Sequence, residues 1–194
     1  ALISLRRANK FALEYWNEVY QGNLGIALSD TFTTEVFFGD FDKNLARAYD
    51  GVRHDSGDPI DFVDRVISHY KSLGIDPLSK TIVFSDGLNV EKAIAIKNYC
   101  EGKIKCSFGI GTHFSNDFKG SPALNMVIKL WSANGVPVVK ISDEPGKICG
   151  DVEARTIANW VFLQKSIFDF PLKGREEVLL HRIEKNNKEK EKEK

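Results

Sequence analysis

The stretch Gly51-Val52-Arg53-His54-Asp55-Ser56-Gly57-Asp58-Pro59 gathers the groups best suited to chemistry in this chain. Pro59 fits the first turn of a helix, and such a start needs about one capping side chain. Asp55, Ser56 and Asp58 exceed that need, so some of them serve another purpose. Arg53 carries a planar fork that matches a carboxylate or phosphate bidentately. Its partner is Asp55, Asp58 or an anionic ligand, because a buried guanidinium without one is costly. Three more apolar runs end in small or polar groups: Ser29-Asp30-Thr31, Ser85-Asp86-Gly87 and Gly109-Ile110-Gly111-Thr112. The acceptor-only carboxylate of Asp86 suits ribose hydroxyls or a magnesium-bound water; an Asx turn or helix cap is the competing role. Gly109 and Gly111 would let backbone approach a phosphate ahead of a helix start, or else form a tight turn capped by Thr112 or Ser115. Together the four junctions describe a site for an anionic, hydroxylated, phosphorylated molecule. No Ser-His-Asp arrangement and no metal-ligand spacing stands out. His113 reads as incidental, and His54 alternates away from Arg53 and Asp55 on an extended chain.

Such junctions need elements to position them. Leu2, Leu5, Ala8, Phe11, Ala12, Tyr15 and Trp16 fall near one helical face. Leu24–Leu28 reads as a strand, Asn44–Tyr49 as a helix, and a strand ends at Arg53. A helix from Pro59 to about Leu73 has Ile60, Phe62, Val63, Val66, Ile67 and Tyr70 on its apolar side. Thr81–Phe84 and Lys105–Phe108 are strands flanking a helix over Val90–Tyr99. The strand ends Leu28, Arg53, Phe84 and Phe108 lie 25, 31 and 24 residues apart. A complete barrel of about 250 residues averages about 31 per βα unit, so these four units make about half of one. Beyond them, Leu124–Trp131 and Val136–Ile141 flank Asn134-Gly135, a strong hairpin signal, and Gly150–Leu163 reads as helical. A short helix around Val178, Leu179 and Ile183 precedes the alternating charges of 188–194, read as a solvated tail rather than an electrostatic arm.

Composition narrows the function class. The 194 residues are 42% hydrophobic and 28% charged with a formal charge of +0, which fits a globular core and argues against nucleic acid or anionic membranes as partners. No run has the length of a membrane span or the order of a signal peptide. Cys100, Cys106 and Cys149 are odd in number and lack CxxC spacing, as small buried thiols in a reducing compartment would be; no zinc site or catalytic thiol is expected. A helical pattern that opens at the first residue, Ala1, without an entry cap leads us to expect a piece of a longer chain.

The stretches LSDTFTTEVFF, YDGVRHDSGDP, IVFSDGLNVEKA, KCSFGIGTHFSNDF, LNMVIKLWSANGVPVVKISD and PGK resemble, in order and over about residues 1–150, the nicotinate phosphoribosyltransferase family. The resemblance implies an α/β fold: a partial irregular barrel of the type II phosphoribosyltransferase kind over 1–120, a β-hairpin and closing helix over 121–174, and a charged tail over 175–194. It implies formation of nicotinate mononucleotide and pyrophosphate from nicotinate and phosphoribosyl pyrophosphate, with ATP and magnesium. A homodimer in the cytoplasm, and additionally in the nucleus, is also implied. Carried over by motif, Arg53, Asp55 and Asp86 are the catalytic residues. Arg53 would also engage the anionic end of the nicotinate and pyrophosphate pocket, with Ser56, Gly57, Ser85 and Gly87 lining the ribose and pyrophosphate positions. Gly109, Gly111 and Thr112 would cradle the 5-phosphate. His113 stands where a small polar residue is expected. The family's N-terminal domain, first barrel strands and phosphorylatable histidine would precede Ala1, so the expected identity is a C-terminal portion. The rival reading is a non-catalytic remnant that binds phosphoribosyl ligands or a full-length partner.

Overall fold

Residues 5–124 and 126–168 are described by the structure, a computed structural model. Four short strands, β1 (Ile26–Leu28), β2 (Gly51–His54), β3 (Thr81–Phe84) and β4 (Lys105–Phe108), make one parallel sheet. Their order in the sheet is their order in the chain, so each crossover steps the same way. That is the winding of an α/β barrel; a doubly wound sheet reverses direction at its middle. Registers bring Leu28, Arg53 and Val83 into line, as well as His54, Phe84 and Phe108.

Alternation along the strands sorts the two faces. Ala27, Val52, His54, Ile82 and Phe84 are buried, whereas Arg53 between Val52 and His54 is exposed. The buried face packs against α2 (Thr34–Asp40), α3 (Lys43–Ala48), α4 (Pro59–Ser72) and α5 (Val90–Cys100), whose Phe37, Leu45, Phe62, Val63, Val66 and Ile96 join it in one core. Each of the last three helices opens on a side chain predisposed to cap it. Asp42 accepts from Asn44 and Leu45, Asp58 from Ile60 and Asp61, and Asn89 from Lys92. The helix α2 has no counterpart among the sequence expectations. Its seven residues are too few for a periodic signal, and Thr33 enters it at φ 80.

Before the sheet, α1 (Ala8–Tyr20) buries only Asn9 and Leu13 among its residues. After β4 comes a single helical turn, α6 (Thr112–Ser115). The expected ribbon is present but much shorter: β5 (Ser132–Ala133) and β6 (Val136–Pro137) pair antiparallel around Asn134 at φ 52 and Gly135 at φ 75. One further cross-strand bond continues past Pro137, Val138 N donating to Trp131 O over 3.1 Å, but the flanking apolar runs do not extend the ribbon and Met126–Trp131 stand exposed. The helix α7 (Val152–Phe168) follows. The expected helix near Val178 and the charged tail lie outside the described residues. Among those described, no helix is long and apolar enough to cross a membrane, and the three cysteines are free. Burial pushes the Cys100 thiol up to about 12, which keeps it inert.

Candidate functional site

At the carboxyl end of β2 the surplus of polar groups sorts itself by partner. Asp58 is the helix cap, one of its oxygens taking both α4 amides. Asp55 is the partner of Arg53: Nη2 donates to Oδ1 over 3.2 Å. Arg53 Nε also donates to Ser85 Oγ over 2.8 Å, and Ser85 Oγ lies 3.1 Å from Asp55 Oδ1. Arg53 is not buried: its side chain is 46% exposed. Arg53 points off the uncovered face of the sheet, so its ion pair is screened by water and the outer edge of the fork stays accessible. His54 turns into the core, as its alternation requires. Burial lowers its pKa, and its Nε2 makes no hydrogen bond. Ser56 is buried as well, with a hydroxyl lacking a hydrogen-bond partner, and Gly57 takes φ 84.

Two lysines complete the cluster. Lys140 Nζ lies 2.9 Å from both carboxylate oxygens of Asp30 and 3.6 Å from Asp55 Oδ2. Lys147 Nζ donates to the Asp86 carboxylate and to the Asp55 carbonyl, and lies 3.3 Å from Glu144. Asp30 is wholly buried at the end of β1, where Ser142 Oγ also donates to it over 2.9 Å. Burial opposes ionisation of Asp30, but the hydrogen bonds from Lys140 and Ser142 outweigh it and hold the carboxyl below the usual range; Ser56 adds a weaker pull without hydrogen-bond geometry. For Lys147 burial likewise favours the neutral form, and the Asp86 carboxylate outweighs it, so the pKa rises. Asp143 fastens the same segment to α2, accepting from Thr34 N over 2.9 Å and Thr34 Oγ1 over 2.5 Å.

The fourth junction is looser. Gly109 N donates to Phe84 O over 2.8 Å, and a Cβ at Gly109 would stand 3.4 Å from that of Ser85. Gly111, not Thr112 or Ser115, occupies the cap position of α6, and no side chain caps it. Ser115 Oγ instead donates to Gly111 O over 3.0 Å. Thr112 is exposed, and His113 stands 3.7 Å from Asp117. The structure thus joins Arg53, Asp55, Ser85 and Asp86 in one network, with Gly109 beside it. Gly87 takes φ 52 in the turn after Asp86. Lys140, Ser142 and Lys147 escape the sequence reading because they follow the irregular stretch beyond β4, and Lys140 reaches Asp30 across a separation of 110 residues. Only their presence in the strings PVVKISD and PGK marks them. Cations and carboxylates alternate at these strand ends. Such a cluster can orient hydroxyls through its carboxylates and a multiply charged anion through its cations.

Comparison with known proteins gives concordant results. A model described as the nicotinate phosphoribosyltransferase (NAPRTase) family matches residues 2–166. The nicotinate phosphoribosyltransferases of Methanosarcina acetivorans and Methanosarcina mazei are each 59% identical over 170 residues, 86% of this chain and 42% of theirs. The crystal structure of the Vibrio cholerae nicotinate phosphoribosyltransferase superposes with a TM-score of 0.80 at 39% identity, covering 92% of this chain and 44% of that one. The Porphyromonas gingivalis structure of the same name gives 0.75 at 43% identity, over 80% of this chain and 42% of that one. The chain therefore spans about two-fifths of the length of these relatives.

Proposed function

The chain belongs to the nicotinate phosphoribosyltransferase family, and from that membership we propose that its strand-end cluster binds the phosphoribosyl and pyrophosphate parts of phosphoribosyl pyrophosphate. The observation that carries the reading is the Arg53–Asp55–Ser85 network with Lys140 and Lys147 beside it, at the ligand-binding end of a parallel sheet. The reaction is transfer of ribose 5-phosphate to nicotinate, giving nicotinate mononucleotide and pyrophosphate for NAD synthesis. It needs no covalent nucleophile. Charge builds on the departing pyrophosphate and on an oxocarbenium-like ribose, and fixed groups of opposite sign stabilise both. Arg53 takes the pyrophosphate or the nicotinate carboxylate through the free edge of its fork. Asp55 and Asp86 face the ribose, with Ser56, Gly57, Ser85 and Gly87 around it. Gly109, Gly111 and Thr112 receive the 5-phosphate.

The reading extends to ATP hydrolysis as a coupled step, to a homodimer of the complete enzyme, and to a cytoplasmic location with the nucleus as an additional one. No described residue is assigned to ATP. For magnesium, no three His, Cys, Asp or Glu side chains gather as a metal site among the described residues, and Asp86 and Asp30 are engaged by lysines. The described residues do not fit a resident ion.

The test is calorimetry with this chain. Pyrophosphate and ribose 5-phosphate should bind, and Arg53→Lys should weaken pyrophosphate about ten-fold, because the charge remains and the fork is lost. The melting temperature should stay near that of the wild type, since an exposed ion pair contributes about 0–1 kcal/mol. Absence of binding, or a fall in melting temperature at unchanged affinity, would overturn the reading. Nicotinate mononucleotide formation by the chain, assayed alongside, separates a catalytic unit from one that only binds.

A further inference from the structure

We propose that Asp30 is a positioning residue for the pyrophosphate-binding cluster, acting through Lys140. This inference rests on the phosphoribosyl reading of the site. Asp30 is a fully buried carboxylate just beyond β1, and a buried charge persists only where its partners hold it closely. Its partners are specific: Lys140 lies 2.9 Å from each oxygen, and Ser142 Oγ adds a third contact at 2.9 Å. Lys140 is thereby held 3.6 Å from Asp55 Oδ2, beyond a direct hydrogen bond. Asp55 Oδ1 meanwhile takes Arg53 and Ser85.

The arrangement decides which carboxylate each cation serves. With Asp30 ionised, Lys140 belongs to β1, and Asp55 remains the partner that orients Arg53. Without the charge of Asp30, the nearest carboxylate left to Lys140 is Asp55. The ammonium then closes on Asp55, competes with the Arg53 fork and neutralises the group that aligns it. Removal of a remote negative charge would by simple electrostatics strengthen binding of an anion. Loss of the alignment predicts the opposite sign, which makes the proposal sharp.

The experiment is a double-mutant cycle on pyrophosphate affinity by calorimetry, with Asp30→Asn and Lys140→Met singly and together. Asp30→Asn should weaken pyrophosphate about ten-fold, within the range of coupling energies between separate sites, and should have no further effect in the Lys140→Met background. Ser142→Ala, a gentler change at the same carboxylate, should weaken binding in the same direction and also lose its effect when Lys140 is absent; it keeps the test decisive if Asp30→Asn fails to fold. Equal effects in both backgrounds, or stronger binding by Asp30→Asn, would overturn the proposal. A ligand-free readout separates it from the function it rests on. A Lys140 ammonium resonance should be little affected by Asp55→Asn in the wild-type background, and in Asp30→Asn it should move to a position that adding Asp55→Asn then abolishes. A resonance that Asp30→Asn leaves unmoved, or that remains indifferent to Asp55→Asn in that background, refutes the proposal whether or not pyrophosphate binds, whereas failure of the wild type to bind pyrophosphate with this resonance intact refutes the phosphoribosyl reading instead.

Discussion

His54 sits between the two residues that carry most of the proposed chemistry, yet it faces away from both. Its ring centre lies 5.0 Å from that of Phe62 and 5.7 Å from that of Phe84. Burial lowers its pKa, so the folded protein holds the imidazole neutral. The sign of the consequence follows from linkage. An unfolded chain takes up a proton at His54 near the ordinary value of about 6.5, while the folded chain does so only at lower pH, so stability present above that pH is lost as pH falls. The loss in melting temperature between about pH 7 and pH 5 should therefore be smaller in His54→Phe than in the wild type, as read by thermal unfolding across pH. Parallel curves for the two proteins would show that His54 titrates alike in both states. At this scale the sequence is informative where neighbours in the chain decide a role. The alternation rule sends His54 inward, and the excess of Asp55 over the capping need of Asp58 points to an Arg53 pair. It is silent on Lys140 and Lys147, because nothing local distinguishes a lysine that bonds a carboxylate 110 residues away from one that faces water.

Two glycines separate packing from ligand approach at the level of elements. Gly51 opens β2 directly beside β3, and a Cβ there would stand 2.8 Å from the carbonyl carbon of Thr81, with the Thr81 oxygen nearer still. Backbone cannot yield as a flexible side chain can, so Gly51→Ala should cost about 1–3 kcal/mol and lower the melting temperature. Gly111 faces open space, and a Cβ added there would meet nothing within 4 Å. Gly111→Ala should leave the melting temperature near wild type and weaken ribose 5-phosphate, if its role is to let a phosphate approach the backbone. Unfolding curves and calorimetry on the two variants check the contrast; a large stability loss in Gly111→Ala would make its glycine structural. The elements bordering these sites are legible to different degrees. Strands β3 and β4 occupy the residues expected, because both alternate: Ile82 and Phe84 turn into the core, and in β4 Cys106 and Phe108 are covered while Lys105 and Ser107 are exposed. The ribbon around Asn134-Gly135 is legible in its turn and not in its length: turn chemistry is local, whereas extension depends on what the flanking strands pack against. The helix α2 is invisible because seven residues present no period, although Thr33 caps it by accepting from Val36 N over 3.4 Å.

At the scale of the molecule, the helices among the described residues cover one face of the sheet. Helices α2 to α5 bury Ala27, Val52, Ile82 and Phe84, while Arg53, Lys105 and Ser107 lie on the other side in exposed positions. Apolar surface is open elsewhere too. Met126, Val127, Ile128, Leu130 and Trp131 form a continuous exposed run in which Ile128 is 87% accessible, and Tyr15, Trp16 and Val19 stand out from α1. Monomeric proteins seldom expose contiguous apolar patches beyond a few hundred Å², and the relatives are more than twice as long as the part matched here. Association is the physical outlet for such a surface, since covering it removes apolar area from water at roughly 25 cal/mol per Å². The chain should therefore self-associate with rising concentration in sedimentation experiments. The double substitution Ile128→Lys with Leu130→Lys should shift it toward monomer without lowering the melting temperature, because these two exposed side chains belong to neither core cluster of the described residues. A wild type that stays monomeric at every concentration, or lysine variants that unfold, would show that this run is accommodated within a single chain.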